Sequence, residues 1–343
     1  MVEKKFGYGI IGCGTISKWH AEAAAATGKY RLVAVTDVVK EAAVKFAEQF
    51  NCIAENDADS LFKRDDIEVV SLCTPSGLHA EYAVKAANAG KNIIIEKPMA
   101  ITKQQIDDIL EACDKNKVKM QVISQMRFRE NILKTKKAID GGKLGKIVIG
   151  DVSMKYFRSQ EYYNTGGWRG TWALDGGGAL MNQGIHGIDA LSYMMGPIKS
   201  VYAHAKTLAR NIEVEDTAVA VVEFENGALG TITGTTSVYP GIPRKFEING
   251  TKGSITLVED TITLWDIEGE EQPLQETTIG GKQNSASNPT NFGIEGHMMQ
   301  FEDMAEALLT GREPRVNQHE GRKPVDIILA IYESERTGKK VML

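Results

Sequence analysis

The sequence predicts an α/β protein in two parts. An N-terminal doubly wound parallel sheet comes first, and a C-terminal α+β domain follows, built on a broad, mostly antiparallel open sheet. Three observations predict this. Apolar, β-branched runs alternate six times with helical stretches over the first third of the chain. The first run leads straight into Gly12-Cys13-Gly14-Thr15-Ile16-Ser17, which opens a helix. After Arg127, strand-like runs follow one another with few helices between them. At 343 residues the chain exceeds the usual single-core size, and the expected domains are residues 1–124 and 125–343.

Composition narrows the class. Hydrophobic content of 42% and charged content of 25% are those of an ordinary globular protein with ample core material. A net charge of −5 and a pI near 5.8 argue against a nucleic-acid partner, whose footprint is basic. A small anionic substrate stays compatible, because a local cluster can oppose the global charge. Cys13, Cys52, Cys73 and Cys113 lack zinc-site spacing, so no metal is expected, and free thiols fit a reducing cytoplasm. Neither a signal-peptide core nor a run of membrane-spanning length is visible.

In order, Phe6 to Ile11 reads as the first strand. Gly12 permits the tight turn after it, and Gly14 lets backbone approach a pyrophosphate at the helix N-terminus beside Thr15 and Ile16. Ser17 replaces the third glycine of the fingerprint and is small enough to keep helix and strand close. Tyr30 to Thr36 is the second strand, ending in Asp37. An acid about 20 residues past the fingerprint is placed to accept the ribose hydroxyls. Asp37 would repel a 2′-phosphate, so NAD is favoured over NADP.

Helix 40–50, strand 52–54 and a helix near 59–63 lead to the strand Glu68 to Cys73. Pro75 stops that strand, Thr74 offers a hydroxyl at the carboxyl edge, and His79 begins the next helix. His79 reads equally as a ligand contact or as a structural hydrogen bonder. The fifth strand, Asn92 to Glu96, runs into Lys97-Pro98, completing a Glu96-Lys97-Pro98 motif. Its β-branched run suits a strand covered on both faces. Pro98 forces the chain out of the sheet and leaves the Lys97 ammonium at the edge where open α/β sheets bind ligands. Helix 102–116 and strand 118–123 complete the first domain.

These residues carry a resemblance. The glycine-rich turn with His20, Thr74-Pro75 with His79, and Glu96-Lys97-Pro98 together resemble the Gfo/Idh/MocA oxidoreductases. The resemblance implies a Rossmann-type nucleotide domain and makes Lys97 the catalytic lysine. It also counts Glu96 among the residues around the cofactor.

In the second half, the expected strands are Lys146 to Phe157, Ile198 to Leu208, Thr217 to Phe224, Ala228 to Thr236, Arg244 to Asn249, Gly253 to Val258 and Thr261 to Asp266. Asn226-Gly227 marks a hairpin. Gly280 to Asn291 reads as a mobile loop, and helices are expected over Gly296 to Leu309 and Gly321 to Arg336. A helix starting near Ala179 places Asn182 and His186 four residues apart on one face. From the residues alone, a core histidine satisfied by Asn182 is the favoured reading over a site lining. The resemblance implies a DxxxH motif here whose histidine works with the lysine on the substrate hydroxyl. Asn182 departs from the usual aspartate, so acid–base work falls on Lys97 and His186.

The resemblance further implies that Trp168 and Arg169 lie near the nicotinamide and substrate, and that His297 faces the site. Arg127 and Tyr156 are weaker pocket candidates. The implied activity is hydride transfer between NAD and a secondary alcohol of a sugar, sugar derivative or cyclitol. His186 suits a base by its ordinary pKa of roughly 6.5; Lys97 serves where burial and a neighbouring cation disfavour its ammonium. Homodimers or homotetramers through the C-terminal sheet are implied as well. Two alternatives stand beside this reading: a dinucleotide-binding regulator without catalysis, and an NADPH-dependent reductase of keto-sugars.

Overall fold

The structure is a computed structural model describing residues 4–270 and 294–343. The Gly280–Asn291 loop expectation lies outside the described residues. In chain order the elements begin with β1 (Phe6–Ile11), α1 (Thr15–Thr27), β2 (Tyr30–Thr36), α2 (Lys40–Phe50), β3 (Ile53–Ala54), α3 (Ala58–Phe62) and β4 (Val69–Leu72). Then come α4 (His79–Asn88), β5 (Asn92–Ile95), α5 (Lys103–Asn116), β6 (Met120–Val122) and α6 (Glu130–Asp140). The long strand β7 (Ile147–Phe157) is followed by α7 (Gln160–Asn164), a π-helical turn (Ala179–Gly184) and α8 (Ile185–Met195). Six strands follow: β8 (Ile198–Lys206), β9 (Thr217–Phe224), β10 (Leu229–Thr235), β11 (Ser237–Gly250), β12 (Gly253–Val258) and β13 (Thr261–Ile267). Helices α9 (Glu295–Thr310) and α10 (Gln318–Thr337) and the short strand β14 (Val341–Met342) close the chain.

Two units emerge. The first comprises Met1–Gln125 and Gly293–Arg322, the second Met126–Phe292 and Lys323–Leu343. In the first unit the strand order is β3-β2-β1-β4-β5-β6, all parallel. This is the doubly wound order whose direction reverses between β1 and β4. Val69, Val70 and Ile93 to Ile95 are fully buried, as expected of strands covered on both faces.

The domain boundary differs from the sequence expectation, which put everything after residue 125 in the second half. Residues 293–322 instead belong to the first unit, because α9 inserts an apolar face into that core. Phe301, Met304 and Ala305 pack with Tyr8, Ala21, Ala24 and Tyr30, and the Tyr30 hydroxyl donates to the Phe301 carbonyl at 2.7 Å. The Gln300 amide also covers the β6 edge, taking the Ser124 N–H at 2.9 Å and donating to the Val122 carbonyl at 3.0 Å. Contacts some 270 residues apart leave no local signature.

The second unit holds an eight-stranded sheet ordered β13-β12-β11-β7-β10-β9-β8-β14. Only β7 and β10 run parallel among its pairings. Asn226-Gly227 makes the β9–β10 turn, with Gly227 at φ +83°. Glycines let α8 and the turn before it lie close on the sheet. A Cβ on Gly187 would sit 2.3 Å from Met154 Sδ, and one on Gly234 would sit 2.4 Å from Leu180 Cδ2.

Candidate active site

At the β1–β4 switch point, Gly12 has φ +94°, and a Cβ there would lie 2.7 Å from the Cys73 carbonyl oxygen. Only glycine fits both demands. Around Gly14 the opposite holds: a Cβ would meet nothing within 4 Å, and α1 begins without a side-chain cap. Its first amides, by exposed Thr15 and half-buried Ile16, therefore face open space at a positive helix end. Ser17, fully buried, donates to the Gly14 carbonyl at 2.6 Å, so it locks the turn where a third glycine is usual. Asp37 accepts the Cys13 amide at 2.7 Å and the Val39 amide at 2.8 Å. It thus ties the glycine turn to the end of β2, with the exposed side chain of Val38 beside it. An uncapped helix start, an open Gly14 and an acid at the end of β2 fit the pyrophosphate and ribose of a dinucleotide.

Lys97 follows β5 at the same carboxyl edge, half-buried, before a cis bond to Pro98. Its neighbours brace it. The Lys97 amide donates to Glu96 Oε2 at 3.1 Å. Glu96 Oε1 takes the His20 Nε2–H at 3.0 Å and lies 3.5 Å from His297 Nε2. On its other side His20 Nδ1 meets Ser71 Oγ at 2.9 Å, which receives the Tyr8 hydroxyl at 2.5 Å. The His20 hydrogen bond, with the His297 imidazole close by, holds the Glu96 carboxyl well below its ordinary value against its own desolvation, while burial pushes His20 down. The pair is therefore a carboxylate with a neutral imidazole donating to it. Glu96 and His297 accordingly turn into the core of the first unit, 6% and 3% exposed, where the sequence reading had placed them around cofactor and substrate.

His79 is also buried. Its ring nitrogens meet the Pro98 carbonyl at 2.7 Å and the Thr74 carbonyl at 3.0 Å, so it clips the β4 and β5 end loops together. Burial outweighs those carbonyls and lowers its pKa, so the neutral ring donates one of the two contacts. The structural role is the one seen. Thr74 and Pro75 are half-buried at the β4 end, and Thr74 Oγ1 is buried without a hydrogen-bond partner.

In the second unit the π-helical turn runs directly into α8. Between Ala179 and Leu191 only Asn182 and His186 are half-buried; every other residue is buried. The two predicted polar residues thus share one accessible stripe. Asn182 Nδ2 donates to Asp175 Oδ1 at 2.8 Å, and Asp175 Oδ2 takes the Gly170 N–H at 2.9 Å. Glu215, which sequence reasoning missed, grips the start of the turn. Its carboxylate accepts the Gly178 and Leu180 amides at 2.8 Å each and the Tyr332 hydroxyl at 2.9 Å. The glycine run explains itself here: a Cβ on Gly178 would stand 1.7 Å from the Glu215 carbonyl oxygen, and one on Gly177 2.2 Å from the Tyr332 hydroxyl.

Trp168 and Arg169 are half-buried, and Arg169 Cζ lies 5.2 Å from the Trp168 ring centre. Two weaker candidates are otherwise engaged. Arg127, 4% exposed, makes a bidentate pair with Asp189 at 2.6–3.1 Å. Such a planar fork, desolvated with its carboxylate, is built to hold structure. Tyr156 is buried with its hydroxyl 3.5 Å from Arg244, which pairs with Glu259 at 3.2 Å.

Fold and nucleotide cradle define a dinucleotide-dependent oxidoreductase. Residues 6–124 match the oxidoreductase family with an NAD-binding Rossmann fold, and residues 132–256 match the GFO/IDH/MocA C-terminal domain. The chain belongs to the Gfo/Idh/MocA family and is an NAD(P)-dependent oxidoreductase acting on CH–OH groups. It is 32% identical to the levoglucosan dehydrogenase of Pseudarthrobacter phenanthrenivorans over 281 residues, 72% of each chain. With the myo-inositol 2-dehydrogenase of Thermotoga maritima it shares 27% identity over 280 residues, 76% of this chain and 79% of that one. Its fold superposes on the WlbA dehydrogenase from Bordetella pertussis, solved with NADH and UDP-GlcNAcA, with a TM-score of 0.89, 33% identity and 99% of both chains covered.

Proposed function

We propose that this protein transfers a hydride between NAD and a secondary alcohol of a sugar, sugar derivative or cyclitol, with Lys97 as acid–base and His186 as orienter and relay. The observation that carries the reading is the Lys97 turn. A lysine at the carboxyl edge of β5 is braced through its backbone by Glu96 and, across Pro98, by His79. In oxidation the substrate O–H proton passes to the Lys97 amine, and bound NAD supplies the hydride acceptor. Asn182 and His186, the accessible polar pair of their helix, hold the hydroxyl, and His186 carries the proton onward. The relatives' sugar, cyclitol and sugar-nucleotide ligands support this substrate range.

Asp37 supports NAD over NADP, since a 2′-phosphate would meet a carboxylate. Four free thiols support a reducing, cytoplasmic setting; among the described residues no helix is long and apolar enough to cross a membrane. The test is Lys97→Met, assayed for NADH formation with levoglucosan, inositols and UDP-sugars. Turnover is expected to fall by at least about 10³-fold, within the range of a lost general acid–base group, while NAD affinity stays within a few-fold. Turnover near wild type would overturn the assignment, and a sugar-independent NAD binder would remain.

A further inference from the structure

A buried group in the core of the first unit turns three metal-ligating atoms towards one another. His20 comes from α1, Glu96 follows β5, and His297 lies in the first turn of α9. They are 0%, 6% and 3% exposed. Glu96 Oε1 lies 3.0 Å from His20 Nε2 and 3.5 Å from His297 Nε2, and the three atoms lie within 4.8 Å of one another. Ligand atoms around a tetrahedral zinc ion, bonded at about 2.0–2.2 Å, stand about 3.3 Å from their neighbours. The two measured separations bracket that edge.

Hydrogen bonding accounts for only part of this arrangement. The His20 contact is a hydrogen bond. His297 differs: its Nε2 is buried and has no hydrogen-bond partner among the described residues, although it lies beside the carboxylate. A buried ring nitrogen in that state is costly, and a cation shared by the three side chains satisfies it.

The surroundings suit such an ion. Glu96 Oε2 takes the Lys97 amide at 3.1 Å, which leaves Oε1 to the imidazoles. Ser71 Oγ lies 2.9 Å from His20 Nδ1. With a metal on Nε2, the ring proton moves to Nδ1 and is donated to Ser71, as metal-binding imidazoles donate from their second nitrogen. A serine oxygen has two lone pairs, so it accepts this proton and the Tyr8 hydroxyl together. Two neutral imidazoles and one carboxylate are a zinc donor set. Glu96 stands 76 and 201 residues from its two partners, so no motif spacing announces the group.

We propose that His20 Nε2, Glu96 Oε1 and His297 Nε2 bind one zinc-type divalent ion, which ties α1, the Lys97 turn and α9 together in the core of the first unit. The ion is structural, because its ligands are closed off from solvent. The hydride-transfer reading neither needs it nor is needed by it.

The test is the metal content of the full-length chain, expressed in zinc-supplemented medium so that the ion is present while the core closes, then desalted with a weak chelator to strip surface metal. Mass spectrometry should count one zinc per chain, and zinc-edge X-ray absorption should show two imidazoles, oxygen and no sulfur. His297→Gln, checked for folding by circular dichroism, should give up its zinc to a competing chelator at a concentration at least about 100-fold lower, while Ser71→Ala, which removes only an outer hydrogen-bond partner, should lie within roughly 10–100-fold of wild type. Wild type without stoichiometric zinc would overturn the site and leave a hydrogen-bonded triad only. Sulfur at the metal, or retention unchanged in His297→Gln, would put the ion elsewhere and overturn it equally. The absorption spectrum of wild type decides even where the variant does not fold.

Discussion

An aspartate at position 182, the residue usual in the family pattern, would put two carboxylates in hydrogen-bond contact here. Asp175 Oδ1 sits 2.8 Å from the Asn182 amide nitrogen, and Asp175 is 1% exposed. Two like charges so close cannot both ionise, so one proton would be retained with a raised pKa. Asparagine removes the conflict by donating to Asp175, and this accounts for the departure in structural terms. Asn182→Asp should therefore be close to wild type in stability near pH 4 and lose about 1–3 kcal/mol relative to it by pH 8, because the folded state resists ionising a group that the unfolded chain ionises near 4. Urea unfolding of variant and wild type at pH 4, 6 and 8 measures the difference. A gap independent of pH would show that the amide fills space and nothing more. The sequence made Asn182 visible as a deviation, yet Asp175 lies seven residues away in an irregular loop with no spacing rule to link them.

At the scale of the element, the helix carrying Asn182 and His186 is set by a group far along the chain. Glu215 holds the first amides of the π-helical turn, where a carboxylate is favoured by the helix dipole, yet burial outweighs its three donors and pushes its pKa up to about 7 from 4.5. The folded pKa lies above the unfolded one, so the stabilising contribution is complete below pH 4.5 and disappears as pH rises through 7. The size is about 3 kcal/mol for a shift of this extent. Glu215→Gln mimics the protonated side chain and should abolish that dependence. Wild type should lead or equal the variant at pH 5, and the variant should gain on it by up to about 3 kcal/mol by pH 8, read by chemical denaturation. Parallel profiles would refute the assignment.

Elements of this kind divide what a sequence shows from what it hides. Strand runs, the Asn226-Gly227 turn and the glycine fingerprint are local, and most were found within a residue or two; β11, expected from Arg244, begins at Ser237, and β14 was not expected. Glu96 was legible as part of a motif but not in its direction, because His20 and His297 reach it from 76 and 201 residues away. The Gly176-Gly177-Gly178 run signalled close approach correctly, while what approaches, Glu215 and Tyr332, came from other elements.

For the whole molecule, the eight-stranded sheet sets an assembly question. One face of the sheet is packed beneath α8. On the other face the alternation of β9 leaves Val219 and Val221 49% and 55% exposed. Tyr202 pairs opposite Val221 on β8, and Leu229 on β10 and Ile149 on β7 pair with each other; all three are exposed. Together they make an apolar patch over four strands, interrupted by Thr231 opposite Val221 and Glu223 opposite Leu229, and monomers rarely leave large apolar patches in water. The proposal is that a second copy covers it face to face. A two-fold interface uses the same patch twice, so one substitution removes two apolar contacts and brings two new charges near the axis. Val221→Glu, at the middle of the patch, should shift wild-type dimers or tetramers to monomers in sedimentation velocity at about 10 µM, a concentration at which an interface of about 1,200–2,000 Å² is normally formed. Its far-UV spectrum should not change, because Val221 points away from the buried face. A wild-type monomer at that concentration, or a variant that keeps its assembly, would mean that the copies meet elsewhere or not at all.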